Sequence, residues 1–324
     1  MKEIDKSKAL KVPRELLSFL KKEDKFLIAT HINPEADAIG SSIALSMALE
    51  TLGKKTILYD KDNIPDFYHF LPGYKKFKNS IPPKISRQSP VVLLDCNSLE
   101  RAGIEGLNFR HSAVIDHHKT EGFYGDIRWI KPEAAATGIM IFYLLKKLGI
   151  KITKDIAINL YSAIAVDTGT FRYSNTSAEV LRVSAELIDA GANASYVSKH
   201  LYEIWSEKRF ALFISTLNTL EIRDYIAMTF VTREMFKKTG TGPADTENFS
   251  SFPRMMKDIK ISAFFREVSN NYWKVSLRSR GNIDVARIAK LFEGGGHKNA
   301  SGYKIKSNLE SAKKSLIKAV RSYM

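Results

Sequence analysis

Along the first 190 residues, short apolar runs alternate with helix-patterned stretches. This alternation restricts the chain to a parallel or mostly parallel sheet with helices packed against it. Segments 25–30, 54–60, 90–95 and 112–116 read as strands, and 37–53, 134–149, 154–166 and 177–190 as helices. A break at Gly191 leads into a helical stretch from 194 to 221. Beyond it, 225–231, 259–267 and 272–279 have strand character, 284–292 and 307–323 are helical, and 237–251 is a loop rich in Gly, Thr, Pro and acidic residues. With 324 residues the chain has length enough for two domains. The expected division is 1–191, a helical linker at 192–214, and a smaller α/β domain at 215–324.

Cys96 is the single cysteine, which excludes a disulfide framework and a cysteine-built zinc site within one chain. A reducing cytoplasm is the natural setting. No stretch approaches the roughly 18 uninterrupted apolar residues of a membrane span, and the N-terminal segment lacks a leader pattern, so the expectation is a soluble, unexported protein without a membrane partner. The net charge of +15 is uneven: residues 215–324 hold 20 Lys and Arg against 10 Asp and Glu. Such a surface draws polyanions, nucleic acid included, although a merely solvated lysine-rich face accounts for charge alone.

Four segments place acids or histidines where ligands gather in open α/β sheets, outside the carboxyl ends of the strands. His31, Glu35 and Asp37 follow the first strand, Asp95 ends the third, Asp116, His117 and His118 end the fourth, and Asp167 closes a helix. Taken singly, each has a plainer reading. Asp37 would cap its own helix, Asp95 and Asp167 would open turns, and either histidine would be a hydrogen-bonded surface group. Together they supply oxygen and imidazole donors sufficient for two divalent ions, a mixture that suits Mn2+, Mg2+, Fe2+ or Co2+ over a thiolate-preferring metal.

The motif HINPEADAIGS at 31–41, the aspartate Asp95, the trio Asp116-His117-His118, Asp167, and GGGH at 294–297 followed by Ala300, Ser301 and Gly302 together resemble the DHH phosphoesterase superfamily with a second domain of the DHHA1 type. The resemblance runs from about residue 25 to about 305. It implies a DHH catalytic domain holding two ions, most typically Mn2+. One would lie near His31, Glu35 and Asp95, the other near Asp37, Asp95, His117 and Asp167, with Asp95 shared. Asp116 would orient the histidines and His118 would face the substrate phosphate. The chain departs from the family's Asp-x-Asp at Glu35, which puts a longer carboxylate at the first ion, and it has Ser301 where alanine is common.

In the C-terminal domain, three glycines before His297 permit close backbone approach to an anion, or simply a flexible turn. The resemblance implies that Arg278 and the loop Gly294, Gly295, Gly296, His297 bind the nucleotide end away from the reacting phosphate. Arg101 would contribute from the first domain, unless it serves a surface ion pair. The two-domain build most resembles the bifunctional oligoribonucleases, which shorten oligonucleotides and dephosphorylate pAp. The implied substrates are short single-stranded RNA or DNA or small nucleotides, and a homodimer is compatible. The nearest rival is cleavage of pApA or cyclic di-AMP. A rival of another class is a nucleic-acid-binding module without catalysis, which would be expected to lack metal ligands.

Overall fold

The short apolar runs build a first sheet, which the computed structural model describes within residues 10–82, 89–119 and 124–323. Its strands are β1 (Lys25–Ala29), β2 (Lys55–Tyr59), β3 (Phe77–Lys78), β4 (Val91–Leu94), β5 (Ser112–Asp116) and β6 (Ile127–Ile130). They lie in the order β3-β2-β1-β4-β5-β6, and every pairing is parallel. All carboxyl ends therefore share one edge. The order reverses between β1 and β4, the place where open sheets of this kind bind ligands.

The helices of this part are α1 (Arg14–Lys22), α2 (Ala36–Thr51), α3 (Thr137–Leu148), α4 (Lys154–Asp167), α5 (Ala178–Asp189) and α6 (Ala194–Tyr202). One face of the sheet, with Phe26, Ile28, Val92, Leu94 and Ile115, packs into the same core as these helices. The opposite face, with Leu27, Ala29, Leu93 and Val114, packs with Cys96, Ala102 and Ile104 from the segment after β4. Helix α2 is buried on nearly every side, from Ala36 to Leu49, which explains its run of Ala, Gly and Ser. At Gly40 a Cβ would stand 2.4 Å from the carbonyl oxygen of Asn159 on α4. The two helices approach too closely for any side chain there.

The chain divides between Ile204 and Trp205 into two units. The expected helical connector is two helices: α6, and α7 (Glu207–Leu217). Ser206 starts the second by accepting a hydrogen bond from the amide of Arg209. Val197 and Leu201 of α6 pack in the first core, while Leu212 of α7 packs with Val231, Phe236, Phe249 and Phe264.

The second unit carries β7 (Glu221–Arg223), β8 (Ile226–Val231), α8 (Arg233–Thr239), β9 (Ile261–Ser269), β10 (Tyr272–Ser279), α9 (Val285–Lys290), β11 (Gly295–His297), β12 (Ala300–Lys306) and α10 (Leu309–Arg321). Its sheet runs β11-β12-β10-β9-β8-β7, parallel only between β8 and β9. Trp273, Val275 and Leu277 pack against Val285, Ile288, Leu316 and Val320 of α9 and α10. After α8, the expected loop contains short 3-10 turns at Pro243–Thr246 and Phe249–Ser251. No helix among the described residues is long and apolar enough to cross a membrane.

Gly40→Ala is expected to destabilise the protein by about 1–3 kcal/mol, the usual cost of overpacking, because the obstructing atom is backbone and cannot rotate away. Chemical denaturation of the two proteins measures the difference.

Candidate metal centre

The carboxyl edge of the first sheet gathers acids and histidines from five segments. Asp37 sits in the first turn of α2 but does not cap it, since the N-cap position belongs to Glu35. Its carboxylate reaches instead to the start of α3. Oδ2 accepts the amide of Thr137 at 2.7 Å, and Oδ1 accepts the amide of Gly138 at 2.8 Å and the Ser41 hydroxyl at 3.1 Å. The N-cap of α3 is Ala136, whose methyl group offers no acceptor. Asp37 thus supplies the cap that helix lacks, and the helix N-terminus stabilises a buried anion.

Asp95 follows β4 with φ +55°, in the left-handed region that non-glycine residues rarely adopt and that Asn and Asp tolerate best. Its side chain is the hub of the cluster. Oδ2 lies 3.5 Å from His31 Nε2, whereas Oδ1 lies 3.4 Å from His117 Nε2, 3.4 Å from His118 Nδ1 and 3.1 Å from the Thr137 hydroxyl that donates to it. Asp167, at the end of α4, brings Oδ2 to 3.0 Å from His117 Nε2. Asp37 Oδ2 stands 3.6 Å from the same nitrogen.

Each imidazole is fixed by its other nitrogen. Nδ1 of His117 faces the carbonyl of Ala134 at 3.1 Å, and Nδ1 of His31 faces the carbonyl of Ile32 at 3.0 Å. A carbonyl only accepts, so both Nδ1 atoms carry hydrogen and both Nε2 atoms point at the carboxylates, the arrangement in which histidines commonly bind metals. Asp116, fully buried, holds His118 by accepting its amide at 3.0 Å and its Nδ1 at 2.7 Å. Asn97 donates to the other Asp116 oxygen at 3.0 Å.

Burial disfavours every charge here, and the pairing decides the outcome. Burial opposes protonation of His117 and His118, yet the carboxylates outweigh it. Asp167 and Asp95 raise His117 well above its ordinary value, and Asp95 with Asp116 raises His118 to about 9. His31 rises through Asp95, against burial. Asp95 is held well below the carboxylate range because the histidine contacts overcome its burial, and Asp116 is lowered through His118. Asp37 goes well up, from burial first and then from the charges of Asp167 and Asp95. Such crowding of oxygen anions around imidazole nitrogen is what a divalent cation relieves.

Two trios bring their ligand atoms within 4.8 Å of one another, Asp95-His117-His118 and Asp37-His117-Asp167. The donor set therefore fits oxygen- and nitrogen-binding divalent ions. The second trio coincides with three of the four residues expected around one ion. His31 joins the cluster through Asp95, and Glu35 belongs to neither trio. Arg101 is exposed; its charge works against protonation of His31, and its carbonyl accepts the Ile32 amide at 2.8 Å. Cys96 is buried and its thiol is pushed up to about 11 by that burial, so it stays protonated and unreactive.

Sequence reasoning missed Thr137, Gly138, Asn97 and Asn175. The last donates to the carbonyls of Ala135 and Asp167 at 3.2 and 3.0 Å. One signal was available: a helix starting after alanine leaves amides that some distant acceptor must satisfy.

In the second unit Arg278 is half-buried on β10, between Ser262 and Ala300, and its Nη1 reaches the Leu277 carbonyl at 3.4 Å. A Cβ on Gly294 would stand 2.3 Å from the Gly302 oxygen, and one on Gly296 2.5 Å from the Ala300 oxygen. Packing against β12 requires these two glycines, whereas Gly295 faces open space. The backbone of His297 pairs with Ala300, and its side chain lies outside the described residues. Ser301 donates to the Val285 carbonyl at 2.7 Å.

Residues 25–164 match the DHH family, N-terminal domain, and residues 225–324 match the DHHA1 domain. The chain is 33% identical to a bifunctional oligoribonuclease and PAP phosphatase of Thermus thermophilus, over 92% of this chain and 90% of that protein. It is 26% identical to the protein of the same description from Bacillus subtilis, over 90% and 93% of the two chains. The crystal structure of an exopolyphosphatase-related protein from Bacteroides fragilis superposes with a TM-score of 0.87 at 29% identity, covering 95% of each chain. This chain belongs to the DHH family, with a DHHA1 domain as its second part, and is a hydrolase of phosphoester bonds.

Proposed function

We propose that the protein is a two-cation phosphoesterase that degrades short oligoribonucleotides to mononucleotides and converts 3′-phosphoadenosine 5′-phosphate to AMP. The observation that carries this reading is Asp95, whose Oδ2 faces His31 while Oδ1 faces His117 and His118. A carboxylate so placed would serve two ions at once. His31 and Asp95 would hold one, with Glu35 the longer ligand beside them, and Asp37, Asp95, His117 and Asp167 the other. Mn2+ is the proposed metal. Bound divalent ions would polarise the phosphoryl group and activate the attacking water.

The protein's own groups account for the rest. Asp116 fixes His118 so that Nε2 can hydrogen-bond a phosphate oxygen or deliver a proton to the leaving group, and the bond to Asp116, which favours the protonated ring, equips it for the second task. Arg101 adds positive charge near His31. In the second unit, Arg278, whose planar guanidinium suits phosphate, and the loop carrying Gly295 and His297 are the proposed substrate-binding residues. The identity of 33% with a relative named as an oligoribonuclease and PAP phosphatase favours nucleotide substrates. Cytoplasmic action is part of the proposal.

A panel of pAp, a short RNA, pApA, cyclic di-AMP and pyrophosphate, assayed with Mn2+, is expected to show turnover of the first two ahead of the others. No cleavage of any nucleotide would overturn the reading.

Asp95→Asn keeps a residue that tolerates the left-handed backbone, and it should lower kcat by more than the roughly 10–100-fold typical of losing an outer partner of a ligand. Arg278→Ala should leave kcat nearly intact and raise KM about tenfold or more, the pattern of lost uniform binding.

The raised histidines set a pH dependence. A raised pKa means the imidazole is protonated below it, so at neutral pH a cation must displace protons to bind. Mn2+ affinity is therefore expected to increase as the pH rises from 6 and the raised imidazoles of His117 and His31 give up their protons. Titration calorimetry in buffers of different ionisation enthalpy should record proton release. Binding that is independent of pH and releases no proton would contradict this account.

A further inference from the structure

We propose that Thr137 is a positioning residue that sets the orientation of the shared carboxylate Asp95, and thereby how firmly the ion on the His117 side is held. The inference rests on the two-cation reading. Thr137 is completely buried at the first position of α3. Its amide is given to Asp37 and its hydroxyl to Asp95, at 2.7 and 3.1 Å. One residue thus ties together carboxylates that arrive on α2 and after β4.

That residue is itself held in place. A Cβ on the adjacent Gly138 would stand 2.7 Å from the Ala163 Cβ of α4, so the start of α3 is seated directly on the helix that ends in Asp167. Asn175 ties the Ala135 carbonyl, just before α3, to the Asp167 carbonyl. Segment 135–138 therefore contacts the elements that carry Asp37, Asp95 and Asp167.

The two oxygens of Asp95 make the consequence one-sided. The Thr137 hydroxyl donates to Oδ1, the oxygen facing His117 and His118, whereas Oδ2 faces His31. Removing the hydroxyl takes a donor from the oxygen that faces His117 and none from Oδ2, and it leaves the amide bonds of Thr137 and Gly138 to Asp37 in place. Thr137→Val does this at nearly constant volume, and Thr137→Ser restores the donor.

Counting bound Mn2+ by electron paramagnetic resonance of the free ion tests the inference without reference to turnover. The unaltered protein is expected to bind two ions. Thr137→Val should keep one at unchanged affinity and hold the other roughly 10–100-fold more weakly. Thr137→Ser should bind both as the unaltered protein does. If valine prevents folding, as judged by circular dichroism, Thr137→Ala replaces it with the same expectation. Two ions bound at unchanged affinity without the hydroxyl would overturn this inference alone, as would weakening of both ions or equal weakening by Thr137→Ser. Fewer than two ions on the unaltered protein would overturn the two-cation reading and this inference together.

Discussion

Like charges buried together must be compensated or neutralised, and this constraint shapes the whole carboxyl edge of the first sheet. Asp37, Asp95 and Asp116 are buried and Asp167 is only partly exposed, within reach of three imidazoles. Each anion receives a different compensation. Asp37 receives the N-terminus of α3, Asp95 the three histidines, Asp116 the ring of His118 and the amide of Asn97, and Asp167 the Nε2 of His117. The helices are placed accordingly. α3 begins where Asp37 needs its amides, and α4 ends where Asp167 can reach His117.

Much of this edge was legible in the chain. Short aliphatic runs announce strands buried on both faces, so β1, β4 and β5 are legible within a residue or two, and with the last two come Asp95 and the Asp116-His117-His118 trio. The edge strands β3 and β6 escaped. An edge strand needs no continuous apolar run, and Ile127–Ile130 carries an exposed arginine at its centre. Asp37 had been weighed as a cap for its own helix, and it proves to cap a helix whose first residue lies 100 positions further on. Asn97 and Asn175 were invisible for the same reason: their roles are set by partners in space, and no local spacing marks them.

The second unit teaches the opposite lesson. GGGH looked like a loop opened for a ligand, but two of its glycines are small because β12 leaves no room, and three of its residues form a strand. The strand character of 272–279 was readable. In the structure β10 places Arg278 on the face opposite Val275 and Leu277, with the small residues Ser262 and Ala300 as its cross-strand neighbours.

The span between Asp37 and Thr137 also bears on how the molecule folds. Closing a loop of that size costs entropy before any contact rewards it, and parallel pairing across β1 and β4 adds further delay. The metal centre can therefore assemble only after the sheet and three of its helices have come together. A newly made chain would pass through its early collapse without an ion-binding site, so any ion taken up there would act as a clasp on the finished domain and not as a nucleus around which it forms.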